Sequence, residues 1–344
     1  MKKSKPVPKP LFIQRMKKIL GKDFNSYMNI LKIKPVKSIR CNTLKISPIE
    51  LKKRLEKIGW KIIQPYINYP EIMIVDSELV PGELGRSLEH LLGYYYIQEL
   101  ASMLPIIALN PRPNENVLDL CAAPGSKTTQ AASIMNNTGN LIANELSMPR
   151  IKILASNLER CGVTNTIITR KEGSALCNKF QKNKTYFDKI LVDAPCSGEG
   201  TLRSSHKTYL MWNPKTIKSL SKIQKQLVDS SIKILKVDGE LVYSTCTHAP
   251  EENEGVVNNI LKKHKNMKIQ KINLPVKTRS GITKWEDVIY DKNVKETCRV
   301  YPQDNNTEGF FIAKFKKTKW NQKKTLQKPR RNKRKIFRFY SAFF

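Results

Sequence analysis

The chain has 344 residues, of which 62 are Lys or Arg and 29 are Asp or Glu, so its formal net charge is +33. This length predicts one large or two modest domains. The 40% hydrophobic content is enough for a sizeable core, which excludes a disordered chain. A folded protein this basic is expected to bind a polyanion, and nucleic acid is favoured over an anionic membrane surface.

Several patterns typical of membrane, secreted and metal-binding proteins are missing from the sequence. No stretch approaches the ~20 apolar residues that span a bilayer, and the first residues lack a signal-peptide pattern. The seven cysteines are scattered without a Cys-x-x-Cys pair, and none of the four histidines lies at ligand spacing from them. We therefore expect a cytoplasmic protein without a disulfide framework or a metal site. We also expect it to be a monomer.

Residues 1–85 predict a small α+β module. SIRCNTLK alternates as a strand does, Ser47 and Pro48 open a helix as N-cap and first-turn proline, and KIIQ and EIMIV are short apolar runs. Residues 86–111 predict a helical connector. It ends in a loop rich in proline and polar residues.

From residue 112 to residue 316, strands and helices alternate. Strands are predicted at 116–121, 140–145, 165–169, 186–193 and 239–246. Helices are predicted at 126–135, 148–161, 215–236 and 251–264. This alternation predicts an α/β fold whose mostly parallel sheet binds ligands at the carboxyl ends of its strands. A last strand at 308–316 has no helix after it and is expected to pair antiparallel at the sheet edge.

The first of these strands ends in DLCAAPGSKTTQ, residues 119–130. The segment matches neither the Walker loop nor the dinucleotide fingerprint. Its small residues Ala122, Ala123 and Gly125 let a ligand approach the backbone before a helix N-terminus that favours an anion, with Lys127 beside it. The alternative is a tight strand-to-helix turn without a ligand.

The second strand ends at Glu145, about 25 residues after this loop. A carboxylate there is placed to accept hydrogen bonds from ribose hydroxyls, although an acidic residue before a helix is also an ordinary N-terminal charge. Together with the loop, Glu145 favours a cofactor that contains a nucleoside.

The fourth and fifth strands both end in cysteines. DAPCSGEGT and STCTHAPEENE place Cys196 and Cys246 at the same edge of the predicted sheet, with Asp193 at its mouth. The two thiols could be a redox pair, two buried core cysteines, or a nucleophile and its helper. The residues alone leave these alternatives open.

The segments DLCAAPGSKT, DAPCSGEGT and STCTHAPEENE resemble the signature segments of the Sun-type RNA cytosine-5 methyltransferases, the family of the bacterial RsmB-like and eukaryotic NSUN enzymes. The resemblance covers roughly residues 35–316, and GYYYIQELASM is most similar to the archaeal tRNA members. It implies a Rossmann-like class I methyltransferase sheet that binds S-adenosylmethionine, preceded by a small RNA-binding module.

The resemblance also implies residue roles at the cofactor site. Glu145 would bind the ribose with support from Arg150, and Glu172, where the family commonly has Asp, would lie near the adenine. Asp193 would lie beside the reacting end of the cofactor. The methionine end would be lined by Cys121, Ala122, Ala123, Pro124, Gly125, Ser126 and Lys127.

For catalysis, the resemblance assigns nucleophilic attack to Cys246 and product release to Cys196. C5 of cytosine is a poor nucleophile, so a thiolate must first add at C6. Asp193 would hydrogen-bond the cytosine near N3 or N4, and the base must be unpaired or flipped out.

We expect tRNA as the substrate, because a compact module and basic ends can bind a folded RNA by its shape and phosphates. Ribosomal RNA is the alternative substrate, and a noncatalytic RNA-binding assembly factor on the same fold is the alternative function. The basic tail, residues 317–344, is expected to contact phosphates unless it is only a solvated charge run.

Overall fold

Two main β-sheets, each covered by helices, organise residues 7–319, the part of the chain described in the computed structural model. Most of the predicted basic tail lies outside these residues. No helix within this range is both long and apolar enough to cross a membrane.

Two helices come first, α1 (Pro10–Leu20) and α2 (Phe24–Ile30), joined by a 3-10 turn. Their apolar side chains, including Phe12 and Tyr27, pack in one cluster with Trp212 and Tyr301 of the larger domain. The start of the predicted N-terminal module therefore lies against the larger domain, because the apolar face of these helices is buried there.

The smaller sheet follows in the order β2-β3-β1-β4, with all pairs antiparallel. The Ser47 hydroxyl accepts a hydrogen bond from Glu50 N and caps α3, as predicted. The elements of this region are β1 (Lys37–Cys41), α3 (Pro48–Lys57), β2 (Ile62–Ile63), β3 (Ile72–Val75), α4 (Glu83–Arg86), α5 (Leu88–Leu91), β4 (Tyr95–Ile97) and α6 (Leu100–Leu109).

The expectation of a helical connector over 86–111 is wrong in its middle, where β4 interrupts the helices. Ile39–Cys41 of β1 pair with Tyr95–Ile97. Gly93 precedes β4 with φ +72°, and a Cβ there would lie 1.8 Å from Arg160 O. The left-handed turn and the close approach require glycine and break the helix before the strand.

The larger sheet contains the predicted parallel strands, connected by helices on both faces. The elements of the larger domain, in chain order, are β5 (Asn116–Asp119), α7 (Ser126–Ile134), β6 (Asn140–Asn144), α8 (Met148–Cys161), β7 (Thr166–Thr169), α9 (Gly173–Lys182), β8 (Phe187–Asp193), α10 (Thr208–Met211), α11 (Pro214–Ile234), β9 (Leu235–Thr245), α12 (Glu254–Lys263), β10 (Met267–Gln270), β11 (Arg279–Ser280), β12 (Lys284–Trp285), β13 (Val288–Ile289), β14 (Cys298–Val300), α13 (Pro302–Asn305) and β15 (Phe310–Lys317). Strands β12 and β13 pair with each other as a separate hairpin outside the larger sheet. Helix α9 was not predicted.

The strand order is β7-β6-β5-β8-β9, all parallel, followed by the antiparallel strands β15, β14 and β11. The predicted Rossmann-like sheet with an antiparallel edge is confirmed, and β10, β11 and β14 enlarge that edge. Because the chain reverses its direction across the sheet between β5 and β8, the loops after β5, β8 and β9 meet at one place.

Candidate active site

Cys196 and Cys246 are brought together by the ends of two adjacent parallel strands, β8 and β9. Their Sγ atoms lie 3.0 Å apart, and both thiols are free. The hydrogen bond to Cys246, together with burial, raises the pKa of the Cys196 thiol well above its ordinary value. Cys196 is therefore a protonated thiol at neutral pH.

A cavity of about 460 Å³ lies between the two sheets, in front of Cys246. Among the described residues, Cys246 lines this cavity and Cys196 does not. The smaller sheet and its flanks contribute Lys37, Ser38, Leu84, Ile97, Gln98 and Glu99, and the larger domain contributes Lys127, Asp193, Cys246, Glu308, Gly309 and Phe310. Such a volume suits a small-molecule or single-base site.

Asp193 and Lys127 form an ion pair in the wall of this cavity, with a distance of 2.8 Å between Oδ2 and Nζ. The Ser244 hydroxyl donates to the other carboxylate oxygen of Asp193, at 2.7 Å. Lys127 Nζ also donates to Ser102 Oγ at 3.0 Å and lies 5.3 Å from the centre of the Phe310 ring. These partners hold both charged groups in fixed positions beside Cys246.

Glu99 closes the cavity on the side of the smaller sheet. Its carboxylate accepts hydrogen bonds from Ser102 N and Glu308 N, at 3.2 and 2.9 Å, so it joins the start of α6 to the segment before β15. Burial raises the pKa of Glu99 to about 7.

The loop after β5 forms a small cradle at the start of α7. Ala122 N donates to Asn144 O at 2.8 Å. Gly125 has φ +104°, and a Cβ at this position would lie 3.0 Å from the Leu154 side chain. This backbone conformation and close packing explain the glycine at the turn.

Glu145, at the end of β6, accepts from Ser147 N and pairs with Arg150, with a distance of 2.9 Å between Oε2 and the guanidinium. Arg150 also donates to Ala123 O, which ties Glu145 to the cradle. Burial raises the pKa of the Cys121 thiol well above its ordinary value, so Cys121 presents a neutral thiol.

Glu172 has a structural contact of its own. Its carboxylate accepts from Ser174 N and Ala175 N, at 3.0 and 2.8 Å, and caps α9. The contact of Glu172 with the adenine stays a prediction, and in this structure its carboxylate oxygens already bind the helix N-terminus.

The structure thus brings Cys196, Cys246, Asp193 and Lys127 to one place, and Glu145 and Arg150 to the cradle beside it. Sequence reasoning missed Ser102 and Phe310, which complete the surroundings of Lys127. Ser102 lies in the segment predicted as a helical connector and Phe310 in the last predicted strand, and neither was assigned a role at the site. Their approach depends on the packing of α6 and β15, which no local pattern predicts.

Within residues 7–319, no group of three or more His, Cys, Asp or Glu side chains is arranged to bind a metal ion.

The chain matches two families of known proteins. Residues 106–316 match the family described as 16S rRNA methyltransferase RsmB/F, and residues 8–100 match the N-terminal domain of 16S rRNA methyltransferase RsmF. Together the two matches cover almost all of the described residues.

Two relatives illustrate the range of the curated proteins that the chain matches. It is 41% identical over 285 residues to a tRNA (cytosine(49)-C(5))-methyltransferase of Pyrococcus abyssi, covering 83% of this chain and 89% of that protein. It is 39% identical over 284 residues to ribosomal RNA small subunit methyltransferase F of Vibrio cholerae, covering 82% of this chain and 57% of that protein. The chain therefore spans less than two thirds of the length of this bacterial relative.

Solved structures agree in fold. A methyltransferase homolog protein from Pyrococcus horikoshii superposes with a TM-score of 0.78 at 32% identity, covering 89% of this chain and 94% of that one. The structure of NSun6 from Pyrococcus horikoshii with SFG superposes with a TM-score of 0.75 at 26% identity, covering 92% and 99%.

Proposed function

The chain belongs to the 16S rRNA methyltransferase RsmB/F family, and on this basis we propose that it methylates C5 of a cytosine in tRNA. Cytosine-5 methylation agrees with the name of the Pyrococcus abyssi relative, a tRNA (cytosine(49)-C(5))-methyltransferase, and the Vibrio cholerae relative is named as a methyltransferase of ribosomal RNA. We favour tRNA because the chain covers 89% of the tRNA enzyme but only 57% of the ribosomal RNA enzyme. The family descriptions, which name 16S rRNA, keep ribosomal RNA as the alternative substrate.

We further propose S-adenosylmethionine as the methyl donor. The residues fit such a ligand: the loop before α7 is built from small residues with a left-handed turn at Gly125, and Arg150 ties the Glu145 carboxylate to that loop, where a carboxylate is placed to accept from ribose hydroxyls. When bound, this cofactor supplies an activated methyl group. Loop residues 121–127 would bind its methionine end, and Glu145 with Arg150 would bind its ribose.

In the proposed reaction, the Cys246 thiolate adds to C6 of the flipped-out cytosine. The adduct makes C5 electron-rich, so C5 can accept the methyl group. Asp193 hydrogen-bonds the base near N3 or N4, and the ion pair with Lys127 fixes the direction of its carboxylate. Once Cys246 is bonded to C6, its thiolate and its hydrogen bond no longer raise the pKa of Cys196. Cys196 then releases its own proton to solvent and takes the proton from C5. The electrons of the C5–H bond restore the C5–C6 double bond, and the Cys246 thiolate leaves.

The observation that supports this proposal most is the placement of the two thiols. Cys246 lies on the wall of the cavity beside Asp193, and Cys196 lies 3.0 Å from it. Both thiols that the reaction needs are present, which disfavours a noncatalytic assembly factor. The cytoplasmic location and the monomeric state stay predictions.

The nucleophile is tested by Cys246→Ala. We expect this variant to lose methyl transfer because no thiolate can add at C6, while it retains cofactor binding. Methyl transfer to RNA and cofactor titration calorimetry measure the two properties separately. Preserved turnover would reject Cys246 as the nucleophile.

The release step is tested by Cys196→Ala. Without the group that removes the C5 proton, the Cys246 adduct should persist, so a protein–RNA species should survive denaturing gel electrophoresis. Normal turnover with no trapped species would assign Cys196 to the core instead.

A further inference from the structure

Two buried polar side chains bind the peptide groups on either side of Cys196. Gln224 Nε2, on α11, donates to Pro195 O at 2.9 Å, immediately before Cys196. Glu252 Oε2 accepts from Ser197 N at 3.0 Å, immediately after it. Gln224 Nε2 also donates to the same Glu252 oxygen at 2.7 Å, so the two side chains form one clamp around the turn.

Both members of this clamp are 0% exposed. Burial raises the pKa of Glu252 to about 7, and its Oε1 atom has no hydrogen-bond partner among residues 7–319. Placing a carboxylate there costs free energy, since only one of its oxygens is bonded. A methionine would fill the space without this cost, so the packing of the core does not explain an acid at this position.

Glu252 also connects the two catalytic loops. Its backbone carbonyl accepts from the Tyr243 hydroxyl of β9, the strand that ends at Thr245 just before Cys246. Its side chain reaches across to the turn after β8. A second bridge, between Ser197 Oγ and Thr247 Oγ1 at 2.7 Å, joins the same loops. Residues that follow Cys246 in the chain, Thr247 and Glu252, therefore fix the position of the turn that bears Cys196.

We propose that Glu252, with Gln224, is a positioning residue for product release: it holds the turn that bears Cys196 so that its thiol faces Cys246 and C5 of the target cytosine. Glu252 acts through the Ser197 N–H and contacts no reacting atom. This inference rests on the proposed function, because it takes the release role of Cys196 from it.

The test compares Glu252→Met, which fills the space but cannot accept the Ser197 N–H, with Glu252→Gln, which keeps a carbonyl oxygen for both donors. Adduct formation and methyl transfer require Cys246 but not Cys196, so single-turnover methylation should stay near wild type in both. In Glu252→Met, loss of one buried hydrogen bond should lower steady-state turnover by about tenfold and raise the fraction of protein–RNA adduct on denaturing gels by a similar factor. Glu252→Gln should behave like the wild type.

The matched control is Glu251→Met, one residue earlier, whose carboxylate pairs with Arg15 away from the cysteine loops. It should not raise the adduct fraction. Wild-type adduct levels in Glu252→Met, or an equal defect in Glu252→Gln, would overturn the positioning role.

Cys196→Ala, assayed in parallel, distinguishes failure of the clamp proposal from failure of the proposed release step. If Cys196→Ala traps the adduct and Glu252→Met does not, only the clamp is rejected. If Cys196→Ala traps none, the proposed release step itself fails.

Discussion

Several buried acids lie around the candidate active site. Burial raises the pKa of Asp119 to about 6 and those of Glu99 and Glu252 to about 7. Each carboxylate accepts hydrogen bonds from groups that shape the site, as when Thr128 Oγ1 of α7 donates to Asp119 at 2.7 Å. Burying these carboxylates lowers the stability of the fold but fixes the geometry of the site, a combination that is common at functional sites.

Asp119 gives a prediction about stability and pH. Its pKa is higher in the folded than in the unfolded state, so the folded state binds more protons between about pH 4 and 6. Ionisation of Asp119 therefore lowers the free energy of unfolding as pH rises from about 4 to 6, and above about pH 6 this decrease is complete. An asparagine at this position does not ionise, so Asp119→Asn should not show this decrease in the free energy of unfolding.

We expect the free energy of unfolding of Asp119→Asn, relative to wild type, to be on the order of 2–3 kcal/mol more favourable at neutral pH than near pH 4. Urea unfolding at the two pH values measures this difference. A difference that does not change with pH would contradict the assignment of a raised pKa to Asp119.

Among the elements, the parallel strands and the loops after them were predictable, because their apolar runs and turn residues are local. Strand β4 was not, because its partner β1 lies more than 50 residues earlier in the chain. Short strands β10, β11 and β14 form only through pairing with distant segments. In the site, the cysteines and the loop at 121–127 were found through motifs, whereas Glu99 and Gln224 depend on packing that motifs do not encode.

The cradle after β5 is tested by Gly125→Ala. An alanine would have to adopt φ near +104° with its Cβ close to Leu154, so we expect it to lower the free energy of unfolding by about 1–3 kcal/mol. It should also weaken cofactor binding, since the loop must shift. Thermal unfolding and cofactor titration measure the two effects.

The double variant Gly125→Ala/Leu154→Ala serves as the control for the crowding. It removes the neighbouring side chain but leaves the strained backbone. Cofactor affinity restored to the wild-type value in the double variant would show that side-chain crowding, and not the left-handed turn, limits this position.

At the scale of the whole molecule, the cavity is formed between the two sheets, with side chains of both in its wall. A buried arginine connects the smaller sheet to the larger domain. Arg40 of β1 donates to Ser126 O at 2.7 Å and to Thr129 Oγ1 at 2.8 Å, both in α7, and also to Gln98 Oε1. It is 2% exposed. The smaller sheet is thereby connected to the first turn of the helix that follows the cradle.

Arg40→Lys tests this connection. An ammonium group lacks the planar fork that reaches both acceptors, so we expect a loss of about 3 kcal/mol in the free energy of unfolding. Denaturant unfolding measures it, with the exposed Arg86→Lys as control, for which we expect about 0.5 kcal/mol or less. An equal, small effect of both variants would mean that Arg40 does not hold the sheets together.

The most direct test of the proposed function is transfer of radiolabelled methyl from S-adenosylmethionine to separated tRNA and ribosomal RNA that lack native modifications, followed by nucleoside analysis. The proposal predicts label in 5-methylcytidine from tRNA. Label only in ribosomal RNA would contradict the proposed substrate and keep the chemistry. No label in either RNA, from protein shown to bind the cofactor, would contradict the proposed activity.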